Sequence, residues 1–167
     1  NSGGPRAVKY GVTKDWVLNL EVVLADGTII RTGADTLKNS TGYNVTQLMV
    51  GSEGTLGIIT EATLKLLPWP RYNALLLVPC SQAADACAAV AGLFHDGNQP
   101  SALEFMERAA IELAMNFTGD RQLHLADDTA AHLLIEVDGF QEEDLMPQLE
   151  RVAASLERFN PGGRLMA

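Results

Sequence analysis

The chain has 167 residues and 47% hydrophobic content, enough for one core or two small ones, and no apolar run nears the roughly 18–20 residues of a membrane span. A net charge of −9 argues against nucleic acid or an anionic lipid surface as partner. That charge is uneven: residues 1–70 balance six Lys/Arg against six Asp/Glu, whereas residues 71–167 carry six arginines, no lysine and fifteen acids. Cys80 and Cys87 lack C-x-x-C or zinc spacing and are expected as buried free thiols in a reducing compartment.

Asn1-Ser2-Gly3-Gly4-Pro5 opens the chain abruptly, without Met, and predicts a piece of a longer protein. Lys9-Tyr10-Gly11-Val12-Thr13 is a second glycine-bearing loop. From Trp16 the pattern alternates, with Leu18, Leu20, Val22 and Leu24 on one face of a strand. Ala25-Asp26-Gly27 predicts a hairpin of three or four loop residues into Thr28–Thr32. Residues 33–43 read as loop. Asn44 is placed to cap a short helix with Val45, Leu48 and Met49 inward and Gln47 reaching back. That helix leads into Gly51-Ser52-Glu53-Gly54-Thr55-Leu56-Gly57, three glycines at a spacing of three that open into the alternating run 58–66. The run predicts a half-buried strand, with Ile58, Thr60, Ala62, Leu64 and Leu66 on one face.

Leu67-Pro68-Trp69-Pro70 stops regular structure at the charge discontinuity and predicts a boundary, with domains at 1–70 and 71–167. Beyond it the rhythm is strand, helix, strand, helix, strand, helix. The strands are expected at 75–78, 102–106 and 132–137. The first helix should turn Ala84, Cys87, Ala88, Ala91 and Phe94 inward, and the second Ala110, Leu113, Ala114 and Phe117. The third should bury Leu145, Leu149, Val152, Leu156 and Phe159, with Asp144 as cap and Pro147 in the first turn. Residues 118–131 read as a polar loop. The fold class is α+β, helices on one face of a sheet.

The three glycine loops suggest a nucleotide cleft. G-x-x-x-x-G-K-[ST] is absent, and the glycines precede a strand rather than follow one, which excludes the P-loop and the Rossmann fingerprint. The neutral balance of residues 1–70 predicts that any phosphate is held by backbone N–H groups rather than by a basic cluster.

Residues 1–6 and 9–13, the strand ending at Gly27, Thr41-Gly42-Tyr43-Asn44, and Gly51 through Thr60 together resemble the FAD-linked oxidase family. Within the vanillyl-alcohol-oxidase type of flavoproteins, the stretch is most similar to the group that holds glycolate oxidase and D-lactate dehydrogenase. The resemblance implies the second, antiparallel subdomain of a PCMH-type FAD-binding domain, followed by part of a ferredoxin-like α+β cap. It places Asn1, Ser2, Gly3 and Gly4 near the flavin ring and its ribityl–phosphate chain, with Tyr10, Gly11 and Val12 lining the same cleft. Glu53, Gly54, Thr55, Leu56, Gly57, Ile58 and Ile59 would meet the FAD diphosphate and adenosine.

The implied reaction is oxidation of glycolate or a D-2-hydroxy acid by FAD. The implied partners are that small substrate, the remainder of the chain and other oxidase subunits, in the cytoplasm or peripheral to the inner membrane. Two competitors stay open: a non-catalytic FAD-binding or structural subunit, and an unrelated α+β binding module. No catalytic or metal-ligating residue is assigned within the stretch. His95, His124 and His132 lack neighbours at metal-ligand spacing. Glu104, Glu107 and Arg108 read as surface residues that a cap–flavin cleft would otherwise claim, and Trp16 and Trp69 as packing.

Overall fold

In a computed structural model, residues 1–119, 123 and 125–159 are described, and the chain divides into two compact units, Asn1–Pro68 and Trp69–Ala167. The first unit is a three-stranded antiparallel sheet in the order β2-β1-β3. Its strands are β1 (Val17–Val23), β2 (Ile29–Arg31) and β3 (Ile58–Leu64), joined to the short helices α1 (Ala7–Tyr10) and α2 (Val45–Met49). Alternation in β1 works as the sequence predicts on one face, where Leu20 and Val22 are buried with Met49 of α2. The other face holds a buried polar residue, Asn19, which accepts from the Gly33 N–H at 2.8 Å and donates to Asp35 at 3.1 Å. Both halves of its amide are thereby satisfied, and the 33–35 loop is pinned to the strand.

The Asp26–Gly27 hairpin forms with a three-residue loop. The Leu24 N–H donates to the Thr28 carbonyl at 2.8 Å, and Asp26 Oδ1 accepts from the Thr28 N–H at 2.9 Å. Asn44 caps α2 by accepting from the Gln47 N–H at 3.0 Å. Two expectations fail in this unit. Leu48 is 61% exposed, and Thr46, bonded to Thr32 at 2.9 Å, takes the inward position. A helix of five residues has barely one turn, so the sheet sees only one or two of its side chains. The predicted half-buried face of β3 is also open, with Ile58 63% and Leu64 52% exposed. β3 is an edge strand, and α2 packs on β1 instead.

The second unit has β4 (Tyr72–Cys80), β5 (Ala102–Glu107) and β6 (Ala131–Gly139) in the antiparallel order β4-β6-β5. Its helices are α3 (Ala83–His95), α4 (Arg108–Thr118) and α5 (Leu145–Leu156). β4 and β5 run in the same direction on either side of β6, linked through α3, which is the split β-α-β arrangement of ferredoxin-like folds. Helices α3 and α5 pack together against β4 and β6. The core there is Leu76, Val78, Leu133, Ile135 and Val137 against Ala86, Ala89, Leu93, Leu149, Val152 and Leu156.

The α5 stripe is the predicted one, whereas the α3 and α4 faces are not. Ala86, Ala89 and Leu93 point inward on α3, while Ala84, Cys87, Ala88, Ala91 and Phe94 face out. Eleven of the thirteen α3 residues are apolar or glycine, so no period stands out against the background. On α4, Ile111 is buried, and Leu113 and Phe117 are 72% and 89% exposed. Cys87 is therefore an exposed thiol, against the expectation, and Cys80 lies buried in β4.

Candidate functional site

The first two glycine loops meet in the first unit. Thr13 donates from its N–H to the Ser2 carbonyl at 3.0 Å and from its hydroxyl to the same oxygen at 2.9 Å. The Lys14 N–H donates to Asn1 Oδ1 at 2.9 Å. A methyl group on Gly3 would lie 3.0 Å from Val12 Cγ1, so the loops touch. The Trp16 indole N–H donates to the Tyr10 carbonyl at 2.6 Å, and Asp15 accepts from the Val12 N–H at 2.8 Å. These contacts shape an open cleft of about 400 Å³ that brings together Ser2, Gly3, Gly4, Tyr10, Gly11 and Val12. Asn1 does not line the cleft; its side chain is engaged by Lys14.

Its remaining wall is Arg6, Ala7, Thr13, Trp16 and Leu64, which sequence reasoning missed or assigned to packing. The signal for Trp16 was its position at the start of β1, directly across from the last residues of β3: the Lys65 N–H donates to the Trp16 carbonyl at 2.9 Å. Arg6 lines the cleft, Lys9 and Lys14 flank it in sequence, and the Lys65 ammonium lies 4.7 Å from the Trp16 ring centroid. Asp15 is the one acid in that stretch of sequence. Its carboxylate lies against Gly11 and Val12, while Glu21 and Glu61 on the sheet hold Arg31 at 3.0 and 2.5 Å.

The central loop lies elsewhere. Glu53 and Gly54 both take positive φ, +52° and +78°, in a turn closed by the Thr55 N–H on the Ser52 carbonyl at 3.0 Å. A Cβ on Gly54 would meet nothing within 4 Å. Gly57 is the opposite case, since a Cβ there would lie 2.6 Å from Val22 Cγ1 and 2.8 Å from the Val23 carbonyl. A Cβ on Gly51 would lie 3.2 Å from Asn1 Cβ, so the start of this loop abuts the first one. Glu53, Gly54, Thr55, Leu56, Gly57, Ile58 and Ile59 do not line the cleft. Six strand steps separate Ile58 from Leu64, about 20 Å at the rise of a β-strand. A smaller cavity of about 170 Å³ is lined by Thr32, Gly33 and the Thr41-Gly42-Tyr43-Asn44 turn.

In the second unit His95 is exposed beside Asp96 at 3.5 Å. Hydrogen bonds from Ser155 and then from the Arg158 guanidinium hold the Asp96 carboxyl below the usual range. His132 is 1% exposed with Nδ1 unpartnered, and burial, then the Arg108 charge, pushes its pKa down. It shares a sheet face with Glu136 and Asp138, both buried, and Asn73 donates to Glu136 at 3.0 Å. Polar residues at alternate positions of β6 were the sequence signal for that face. Arg108 ties down the loop before β6, donating to the Ala126 carbonyl at 2.6 Å and to the Thr129 carbonyl at 3.2 Å, and pairs with Glu112 at 2.6 Å. His124 lies outside the described residues. Among the described residues no group of three or more His, Cys, Asp or Glu is placed to hold a metal ion, and no helix is long and apolar enough to cross a membrane.

Two family patterns match the chain: "FAD linked oxidases, C-terminal domain" over residues 69–166 and "FAD binding domain" over residues 1–33. A D-lactate dehydrogenase of Archaeoglobus fulgidus is 42% identical over 156 residues, covering 93% of this chain and 34% of that protein. The glycolate oxidase subunit GlcD of Bacillus subtilis is 44% identical over 139 residues, covering 83% and 29%. The chain thus spans about a third of the length of these curated relatives. Among solved structures, an alkyldihydroxyacetonephosphate synthase matches with a TM-score of 0.72 at 21% identity, over 99% of this chain and 31% of that one. A p-cresol methylhydroxylase with substrate bound matches at 0.60 and 18%, over 95% and 35%. Those two likenesses agree with the α+β fold, and the family matches indicate FAD as the cofactor. The chain belongs to the FAD-linked oxidases.

Proposed function

We propose that residues 1–70 form part of an FAD site and residues 71–167 the first part of a substrate cap, in an enzyme that oxidises glycolate or a D-2-hydroxy acid. The observation that carries this reading is the convergence of Ser2–Gly4 and Tyr10–Val12 on one open cleft within the stretch that matches an FAD binding domain. The cleft suits a flat, partly polar group. Tyr10, Val12, Trp16 and Leu64 offer apolar walls, and Gly3 and Gly4 put backbone rather than side chain at its edge.

Asn1, Ser2, Gly3, Gly4, Tyr10, Gly11 and Val12 would hold the ring end of the cofactor. Glu53 through Ile59, reached along β3, would hold its diphosphate and adenosine end. Bound FAD supplies a hydride acceptor for the substrate α-carbon. The chain's own residues orient that acceptor: the Ser2–Thr13 and Asn1–Lys14 bonds fix the loops, and Trp16 closes one side. The reaction also needs a base for the hydroxyl proton. No histidine or carboxylate lines the cleft, so in this reading the base comes from sequence outside this stretch. The partners proposed are the 2-hydroxy acid, the rest of the protein and other oxidase subunits, as the relative named a glycolate oxidase subunit suggests. The site of action proposed is the cytoplasm or the inner surface of its membrane.

Purifying the full-length gene product and recording its visible spectrum tests the reading. The expected result is a yellow protein whose flavin bleaches anaerobically with D-lactate, glycolate or D-2-hydroxyglutarate. A colourless protein, or a flavin that none of these acids reduces, would defeat it.

A further inference from the structure

We propose that the outer edge of β4 receives a further β-strand of the same polypeptide, antiparallel to β4 and drawn from sequence beyond Ala167. The proposal is independent of the cofactor reading above, and its test reads no flavin.

Among the described residues β4 pairs with β6 alone, at one end of the order β4-β6-β5. Its sequence is poorly made for that place. Exposed edges in native sheets are short, bulged or charged, because a row of open N–H and C=O groups recruits other strands. β4 is nine residues long, and its register against β6 is unbroken from Tyr72 opposite Gly139 to Cys80 opposite Ala131. It carries no charged side chain. Pro79, the one residue that blunts an edge, stands next to the end of the strand and leaves 72–78 unguarded. β5, at the other end of the order, has six residues and two glutamates, Glu104 and Glu107.

Connectivity names the occupant. β4 reaches β5 through α3 over one face of the sheet, passing β6, and such crossovers are right-handed. β6 runs opposite to β4, so a right-handed crossover leaving it over the same face travels the other way across the sheet, past β4. α5 follows β6, lies on that face with α3, and packs on β4 and β6. A strand entered from α5 therefore arrives at the outer edge of β4. Its inward side chains would extend the layer of Leu76, Val78 and Cys80 beneath the helices. This stretch covers 34% and 29% of the two relatives described above, which leaves ample chain to supply the strand. A strand of the same polypeptide also avoids the association entropy that a second copy would have to overcome.

Hydrogen exchange of the full-length gene product, resolved to single amides by fragmentation in the mass spectrometer, tests the proposal. In an antiparallel pair alternate amides of each strand face the partner and the others point outward. With a strand on both sides, the amides of 73–78 should all exchange as slowly as those of β6, to within about tenfold after correction for intrinsic rates. Alternate amides that exceed this limit would show an open edge and overturn the proposal. Protection that disappears on dilution, in step with a fall in mass by light scattering, would assign the edge to a second copy and overturn it too. The occupant is located by Leu75→Cys, a half-exposed position, combined with single cysteines along the roughly twenty residues after Ala167, room for a loop and one strand. A disulfide is expected at positions on one face of that strand, where opposite Cα atoms come within about 4.5–5.5 Å. Slow β4 amides without a cross-link from any of these positions would mean that another segment covers the edge, and the proposal would fail.

Discussion

Gly54 and Gly57 stand three residues apart in one motif and are glycines for different reasons. At Gly57 there is no space, with β1 atoms at 2.6 and 2.8 Å from a would-be Cβ. Gly57→Ala should therefore destabilise the β1–β3 pairing by roughly 1–3 kcal/mol, the usual cost of forcing atoms into a filled site, as measured by denaturant unfolding. At Gly54 there is space but φ is +78°. Gly54→Val should cost about 1–2 kcal/mol of backbone strain and, under the proposed function, strip flavin from the full-length protein. A stable, fully flavinated Gly54→Val would remove this loop from the site.

His132 supplies a pH test. Burial and Arg108 lower its pKa, so the folded state binds its proton less readily than the unfolded chain. The stability this gives is fully present above the ordinary imidazole value of about 6.5 and is lost as pH falls from there toward the folded value. Asp96, also lowered, acts the same way but in the carboxylate range, so the interval from about pH 7 to 5 isolates the histidine. The unfolding midpoint should drop across that interval in wild type, and the drop should shrink in His132→Asn.

Among the elements, α5 and α4 have similar amphipathic patterns and opposite fates. Leu156 on α5 is 1% exposed, in contact with the core of β4 and β6. Leu156→Ala should cost about 2–5 kcal/mol, a fully buried leucine leaving a cavity. Leu113 on α4 is 72% exposed, and Leu113→Ala should stay within about 0.5 kcal/mol. Equilibrium denaturation of both variants checks the contrast. Equal losses would mean that α4 is covered in the full-length protein.

Across the whole molecule, the two units are joined by a stretch without regular structure, where Leu66 is 89% and Trp69 74% exposed. Limited proteolysis should cut between residues 65 and 71 before it cuts β1 or β6, because exposed backbone outside a ladder adapts to a protease most readily. Early fragments ending inside 17–23 or 131–139 would contradict this. The same division separates the charge, since the acidic excess lies entirely beyond residue 70.

What the sequence determined by itself was local or covalent in origin. Alternation marked β1 and β3, Asp26-Gly27 marked the hairpin, Asn44 the helix cap, and spaced leucines between polar residues marked the buried face of α5. Each of these depends on neighbours a few residues away, and the order of the glycine loops was enough to suggest the family. Only the tertiary structure decided which apolar residues of α3 and α4 face inward, because a run of alanines looks alike from every side. Only it showed that β3 is an open edge and that Asn19 is buried, since both depend on what packs against the sheet. Above all it placed Trp16 and Leu64 at the cleft. The two lie nearly fifty residues apart in sequence, and it is the backbone hydrogen bonds of an antiparallel ladder that bring them together.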